Sequence, residues 1–248
     1  MIDDNDRIFH PLRLASGSHQ PGSGKGCAMN VISYENGDKK ISDYPECSDR
    51  MLARIVQGVN DSLADADGYL SAENSLIALD LGHQTVGTAY HGLNEQDLKV
   101  VYVRCAIYAA RKVIHLAKTP KALAAIDAAE KWADEPNEVN RKAAADADAY
   151  AAADAAADAY AYAAAYAAAD AAADAYAYAD AAAAAAAAAY AYAAADAAAA
   201  AAGKSKEQFK IELAGEIITL FKELTGTGSK PVIPEVVNSA IDRMMQTA

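Results

Sequence analysis

Residues able to do covalent or coordination chemistry gather near the start of the chain: His19, Cys27, Asp43 and Cys47. A cysteine whose proton is taken by a histidine, itself oriented by a carboxylate, is a thiolate nucleophile. His19, Cys27 and Asp43 supply those three types. Cys27 stands where a helix is expected to begin, so the amide dipoles there should depress its pKa. The second chemistry is coordination. His19, Cys27 and Cys47 offer the imidazole nitrogen and thiolate sulfurs that suit zinc, with Asp43, His10 or Cys105 as a fourth ligand. Their spacing matches no standard finger, and a buried cysteine is more often a small apolar residue than a ligand. No catalytic set is therefore assigned and no cofactor is expected. Zinc at His19, Cys27 and Cys47, and catalysis by His19, Cys27 and Asp43, stay open as alternatives.

Gly22-Ser-Gly-Lys-Gly26 looks like a phosphate loop. It lacks the earlier glycine at position 19 and a Ser or Thr after Lys25, and no strand is expected before it, so nucleotide binding is not assigned there.

The elements that must position these residues read as helices. A Gly-rich loop over 16–26 leads into a short helix from Cys27 to Tyr34, ended by Asn36-Gly37. Ser48 is placed to cap a helix through Met51, Leu52, Ile55 and Val56 toward Asn60. Asn94, with Asp97 three residues on, opens a stronger helix whose apolar positions include Leu98, Val101, Cys105, Ala109, Val113 and Leu116. Thr119 and Pro120 form a cap and first turn for a helix through Leu123, Ile126 and Trp132, stopped by Pro136. Beyond Gly203, Ser205 and Gln208 have capping-box spacing ahead of Phe209, Leu213, Ile217, Leu220 and Leu224. Gly226 and Gly228 end that helix, and Pro234 begins a last one carrying Val237, Ile241 and Met244.

Between these parts lies a tract, 143–202, built only from Ala, Asp and Tyr, with every Asp and Tyr at an even position. Asp146, Tyr150, Asp154 and Asp158 begin a four-residue ladder, and Asp154, Asp158, Tyr160 and Tyr162 recur sixteen residues later. Slippage of a short codon repeat explains the pattern. Alanine has the best helix propensity and loses no side-chain entropy, so the tract is expected to be helical. As one rod, 138–202 would span about 98 Å. Steps of four precess by about 40° around an α-helix, so the Asp/Tyr stripe winds around the axis and leaves no fixed apolar face. Close Ala-mediated packing against other helices, within the chain or between copies, is the expected solution.

The net charge is −12, and the tract supplies eight Asp without a Lys or Arg. Nucleic acid is thus not an expected partner. The acidic start has no apolar core of a signal peptide, and the run Ala181–Ala189 is too short and weakly apolar to span a bilayer. Three cysteines without an export signal point to reduced thiols in a cytoplasm, and to no membrane partner.

The segments Leu14-Ala-Ser-Gly-Ser-His19, Gly26-Cys27-Ala-Met-Asn30, Ser42-Asp43-Tyr-Pro45-Glu-Cys47 and Val59-Asn60-Asp61 resemble the opening of an uncharacterised family found in bacteriophages and bacteria. Its members carry Gly-x-His, Gly-x-Cys-x-Met-Glu and Ser-Asp-x-Pro-x-Cys elements, a helical middle and an Ala-rich tail. The likeness covers about the first third of the chain in detail and the tail in style. The chain departs from it at Asn30, where the family usually has Glu, and in using Asp and Tyr where others use Arg and Trp. The first departure weakens a catalytic or ligand role for position 30. The resemblance implies a phage or prophage accessory protein and no particular activity.

Together these readings predict an all-α protein: a helical N-terminal domain over 1–136, the Ala/Asp/Tyr segment over 137–203 packed as a bundle or Ala-coil, and two C-terminal amphipathic helices over 204–248. The leading function is a non-enzymatic scaffold or protein-interaction protein that self-associates or binds a host or phage protein. The alternatives are a small enzyme or zinc site using His19, Cys27, Asp43 and Cys47, and an anti-defence inhibitor of a bacterial immune factor.

Overall fold

The structure is a computed structural model, and it describes residues 13–17, 19, 23–116, 120–152 and 203–227. Among these the fold is all-α: seven helices, no strand, and three isolated antiparallel bridges. None of these helices is long and apolar enough to cross a membrane. Most of the Ala/Asp/Tyr tract, and the helix expected from Pro234, lie outside the described residues.

Contacts divide the chain into two compact units that part between His91 and Gly92. This boundary differs from the division at 136 and 203 suggested by composition. The second unit runs through both positions, because the helices on either side of Pro136 pack on each other.

In the first unit, α1 (Ala28–Asn36), α2 (Arg50–Ser62) and α3 (Ala72–Gln84) pack together in all three pairings. α1 ends as the sequence predicts, at Gly37, whose φ of 77° is the left-handed conformation a glycine adopts without cost. α2 differs in its cap. Asp49, one residue after the expected Ser48, accepts from the amides of Met51 and Leu52, at 2.9 and 3.4 Å. Ser48 instead pairs its hydroxyl with that of Thr85 at 2.8 Å, a partner 37 residues away. Local spacing suits either residue, and the tertiary partner decides.

α3 has no counterpart among the sequence expectations. Its inward face carries Ser75, Ala78 and Gly82 beside Leu79 and Leu81, while Leu76 faces outward, so the apolar period is blurred. Gly82 marks its closest approach to α1: an added Cβ would stand 3.0 Å from Cγ1 of Ile32.

The second unit holds α4 (Glu95–Val113), α5 (Lys121–Asp134), α6 (Glu138–Ala152) and α7 (Lys206–Thr225). Asn94 caps α4 through the amide of Asp97 at 2.9 Å, and Ser205 caps α7 through that of Gln208 at 3.1 Å, both as predicted. α5 stops at Asp134, ahead of Pro136; Thr119, its expected cap, lies outside the described residues. α5 packs on α6 and α4, and α7 packs on α4, where Tyr102 and Phe221 stack with ring centroids 6.3 Å apart.

The α5 face toward this core is mostly alanine: Ala122, Ala125, Ala129 and Ala133, with Ile126 and Trp132. Ala144 of α6 is fully buried. α6 is also the start of the Ala/Asp/Tyr tract, so the described part of that tract is a helix packed closely on its neighbour.

Candidate functional site

The conspicuous sequence elements of the first unit meet around the N-terminus of α1. The Cys27 amide donates to Oδ1 of Asn30 at 3.0 Å, a side-chain return to the start of the helix. The other end of that amide, Nδ2, donates to Oδ1 of Asp43 at 2.9 Å. The Cys27 thiol donates to the same oxygen at 3.6 Å. Asn30 therefore ties the sulfur's own backbone to the sulfur's carboxylate partner. Asp43 is held in turn through its main chain, because Nε2 of Gln57 on α2 donates to its carbonyl at 3.1 Å.

Asn60 forms a second hub. Its Oδ1 accepts from the Ala28 amide at 3.2 Å, and its Nδ2 donates to the Ala15 carbonyl at 2.9 Å and to Oδ1 of Asp61 at 3.3 Å. The same Asp61 oxygen accepts from the Gly17 amide at 2.8 Å. One turn at the end of α2 thus fixes the 13–17 segment and one of the free amides at the start of α1. The segment is further pinned by Ala15 N–H to Gly26 O at 2.9 Å, Leu70 N–H to Leu14 O at 2.8 Å and Leu14 N–H to Ser75 Oγ at 3.1 Å.

The thiol does not behave as its position in sequence suggests. Burial pushes the Cys27 pKa up from 9.0 to about 12, reinforced by the Asp43 charge, while the amides of Asn30 and Met29 pull it down. Helix N-terminal stabilisation is present but loses to desolvation, since the residue is 1% exposed. The expectation of a depressed pKa is corrected: Cys27 is a protonated donor. Cys47 is likewise pushed up, mainly by burial, and its sulfur lies 3.7 Å from the Ser48 hydroxyl.

The sequence candidates are thus partly assembled. Cys27 and Asp43 meet. His19 is half-buried and donates from Nε2 to the Ala15 carbonyl at 3.3 Å, the oxygen Asn60 also uses, so its hydrogen bond goes to the loop and not to the thiol. Cys105 is buried on α4 of the other unit, and His10 lies outside the described residues. All three cysteines are free thiols. Among the described residues no three His, Cys, Asp or Glu side chains stand close enough to hold a metal ion, so His19, Cys27 and Cys47 are not joined into a zinc site there.

Asn30, Gln57 and Asn60 carry the arrangement, and the sequence reading gave none of them a role. The helical return from residue i+3 to the cap was the available signal for Asn30. For Asn60 the only pointer was its place in Val59-Asn60-Asp61, one of the segments that carry the family resemblance. Family models, curated proteins and solved structures yield no match to this chain.

Proposed function

We propose that this protein is a non-enzymatic helical interaction protein whose Ala-lined helices serve self-association, and that it works as an accessory factor of a phage or prophage. The observation that supports this most directly is the α5–α6 seam. Ala125 and Ala129 of α5 and Ala144 of α6 are each fully buried, and α5 packs on α6, so small side chains fill the interior where the Ala/Asp/Tyr tract begins. Continuing the same side-chain chemistry along the tract gives further surface of the kind that α5 covers. Absolute mass by light scattering tests the reading. A multiple of the chain mass, reduced to a single chain on deletion of 153–202, is the expected result. A full-length monomer would overturn it.

A second reading, a small enzyme built on Cys27, draws on the convergence of Asn30, Asp43 and the first α1 amides on one sulfur. Against it stand the buried, protonated thiol and the diversion of His19 to Ala15. Fast single-site alkylation of Cys27 near neutral pH would favour it over the scaffold, and its absence would remove it.

A further inference from the structure

The first unit carries a feature unrelated to self-association, an open groove of about 490 Å³ whose lining includes Arg13, Leu63, Asp65, Tyr69, Leu70 and Asn74. Leu63 and Leu70 are buried and give it apolar surface, while Arg13 and Asp65 are exposed. Its polar members are held in place. The Arg13 guanidinium carbon lies 4.4 Å from the centroid of the Tyr69 ring, and the next residue is tied down by Leu70 N–H to Leu14 O at 2.8 Å. Lys25 stands over the same ring, 5.1 Å from its centroid, and does not line the groove. Oδ1 of Asp65 accepts from the amides of Asp67 and Tyr69 at 2.9 and 3.0 Å. Asn74 is fixed by its Nδ2, which donates to the Leu63 carbonyl at 3.0 Å.

Arg13 and Asp65 nonetheless do not neutralise each other. Among the described residues neither forms an ion pair, and Oδ1 of Asn74 accepts no hydrogen bond. One groove therefore offers an ordered cation, an ordered carboxylate and an amide oxygen, none of them satisfied by the protein, beside apolar surface. A ligand of a single sign meets one of the two charges as a like charge, whereas a zwitterion complements both. We propose that the groove binds a free α-amino acid with an aliphatic side chain. Its carboxylate meets the Arg13 guanidinium, whose planar fork suits it, and its ammonium meets Asp65 and Oδ1 of Asn74. The aliphatic side chain covers Leu63 and Leu70. The groove's size, and its mixture of apolar surface with a few placed polar groups, are those of small-molecule sites.

Titration of the full chain with L-leucine, followed by amide NMR shifts of residues 63–74, tests this. Saturable shifts confined to the groove are expected. N-acetyl-leucine lacks the ammonium and leucinamide lacks the carboxylate, and each should bind about tenfold more weakly or worse. Arg13→Ala should weaken leucine by a similar factor and leave leucinamide unchanged. Asp65→Asn keeps an oxygen for the amides of Asp67 and Tyr69, and should weaken leucine while leaving N-acetyl-leucine unchanged. Absence of saturable shifts, or unchanged leucine affinity in either variant, would overturn the site. Equal affinity for leucine and either blocked form would overturn the zwitterion, and equal affinity for glycine would overturn the role of Leu63 and Leu70. Chain mass by light scattering is independent of all these outcomes, so the groove and the self-association reading fail separately.

Discussion

The two units solve the same problem, holding helices together, with opposite chemistries. The first unit places polar side chains inside: Asn30, Ser33, Ser48, Asp49, Asn60, Ser75, Thr85 and Thr88 are all buried. Their hydrogen bonds run between distant segments, Ser48 to Thr85 and Asp49 N–H to Thr88 Oγ1 among them. The second unit fills most of its interior with alanine, larger aliphatics and aromatics, buries few polar side chains (Lys99, Asn140 and Thr225), and puts most of its ion pairs outside. There Arg111 bonds Glu130 at 2.6 Å and Asp127 at 3.5 Å across α4 and α5, and Lys112 bonds Glu216 at 2.8 Å across α4 and α7. Small-residue packing tolerates a repetitive sequence, because one alanine replaces another without changing the surface. A buried polar network tolerates almost none, because each donor has one designated acceptor. This difference explains why low complexity sits beside the second unit, while the irregular, punctuated sequence belongs to the first.

The contrast is broken most severely at Asn60. Asn60→Leu leaves the Ala28 amide buried and unpaired and removes the shorter of the two hydrogen bonds to the Ala15 carbonyl, at a cost of about 2 kcal/mol or more. Hydrogen exchange should show α1 losing protection while α5 keeps it; equal loss in both would contradict the division of labour. Next comes the alanine seam. Ala129→Leu forces extra methylenes between helices at close approach and should destabilise the second unit by about 1–3 kcal/mol, read as lost protection in α5 and α6. A neutral result would mean the seam is not closely packed.

The Cys27 thiol gives a sharper, pH-dependent test. Its folded pKa of about 12 lies above the unfolded value of 9.0, so the thiol contributes stability that is fully present below pH 9. That contribution is lost as pH rises toward 12, where the unfolded chain ionises first. Cys27→Ser, whose hydroxyl does not ionise in this window, should flatten the alkaline fall of stability between pH 9 and 12. An unchanged alkaline profile would show that Cys27 is not held protonated. The smallest effect is expected at the surface link between α1 and α3, where Nε2 of His83 lies 2.7 Å from Glu35. Glu35 raises the His83 pKa above 6.5. The pair's stabilisation is therefore present below pH 6.5 and lost as pH rises through the raised folded value. Both side chains are about half exposed, so Glu35→Gln should cost well under about 1 kcal/mol at low pH. Urea titrations at two pH values would detect it, and a large effect would place more of the first unit's stability at its surface than its interior network allows.

How much of this was legible depends on how local the physics is. Asn94, Ser205, Gly37 and the stop before Pro136 were readable, because a cap or a terminator acts within one turn of its own helix. α3 was missed because its buried face rests on Ser75, Ala78 and Gly82, small residues that carry no hydrophobic period. Ser48 was the expected cap of α2, yet Asp49 takes that place because Ser48 pairs with the distant Thr85. In the site, Cys27 and Asp43, grouped by residue type, are in contact. Besides that direct contact they are linked through Asn30, a position that the family resemblance had discounted.

The sequence by itself determined that the described residues are helical, where several of their helices begin and end, and that alanine is prominent in the packing where the tract begins. Those properties follow from backbone propensity and from contacts three or four residues apart. Only the tertiary structure decided that Cys27 is protonated, that His19 turns to a carbonyl, that Asn60 holds three segments, and that Arg13 and Lys25 share Tyr69. Each of these depends on desolvation or on partners dozens of residues away, and such partners acquire a position only when the whole unit has folded.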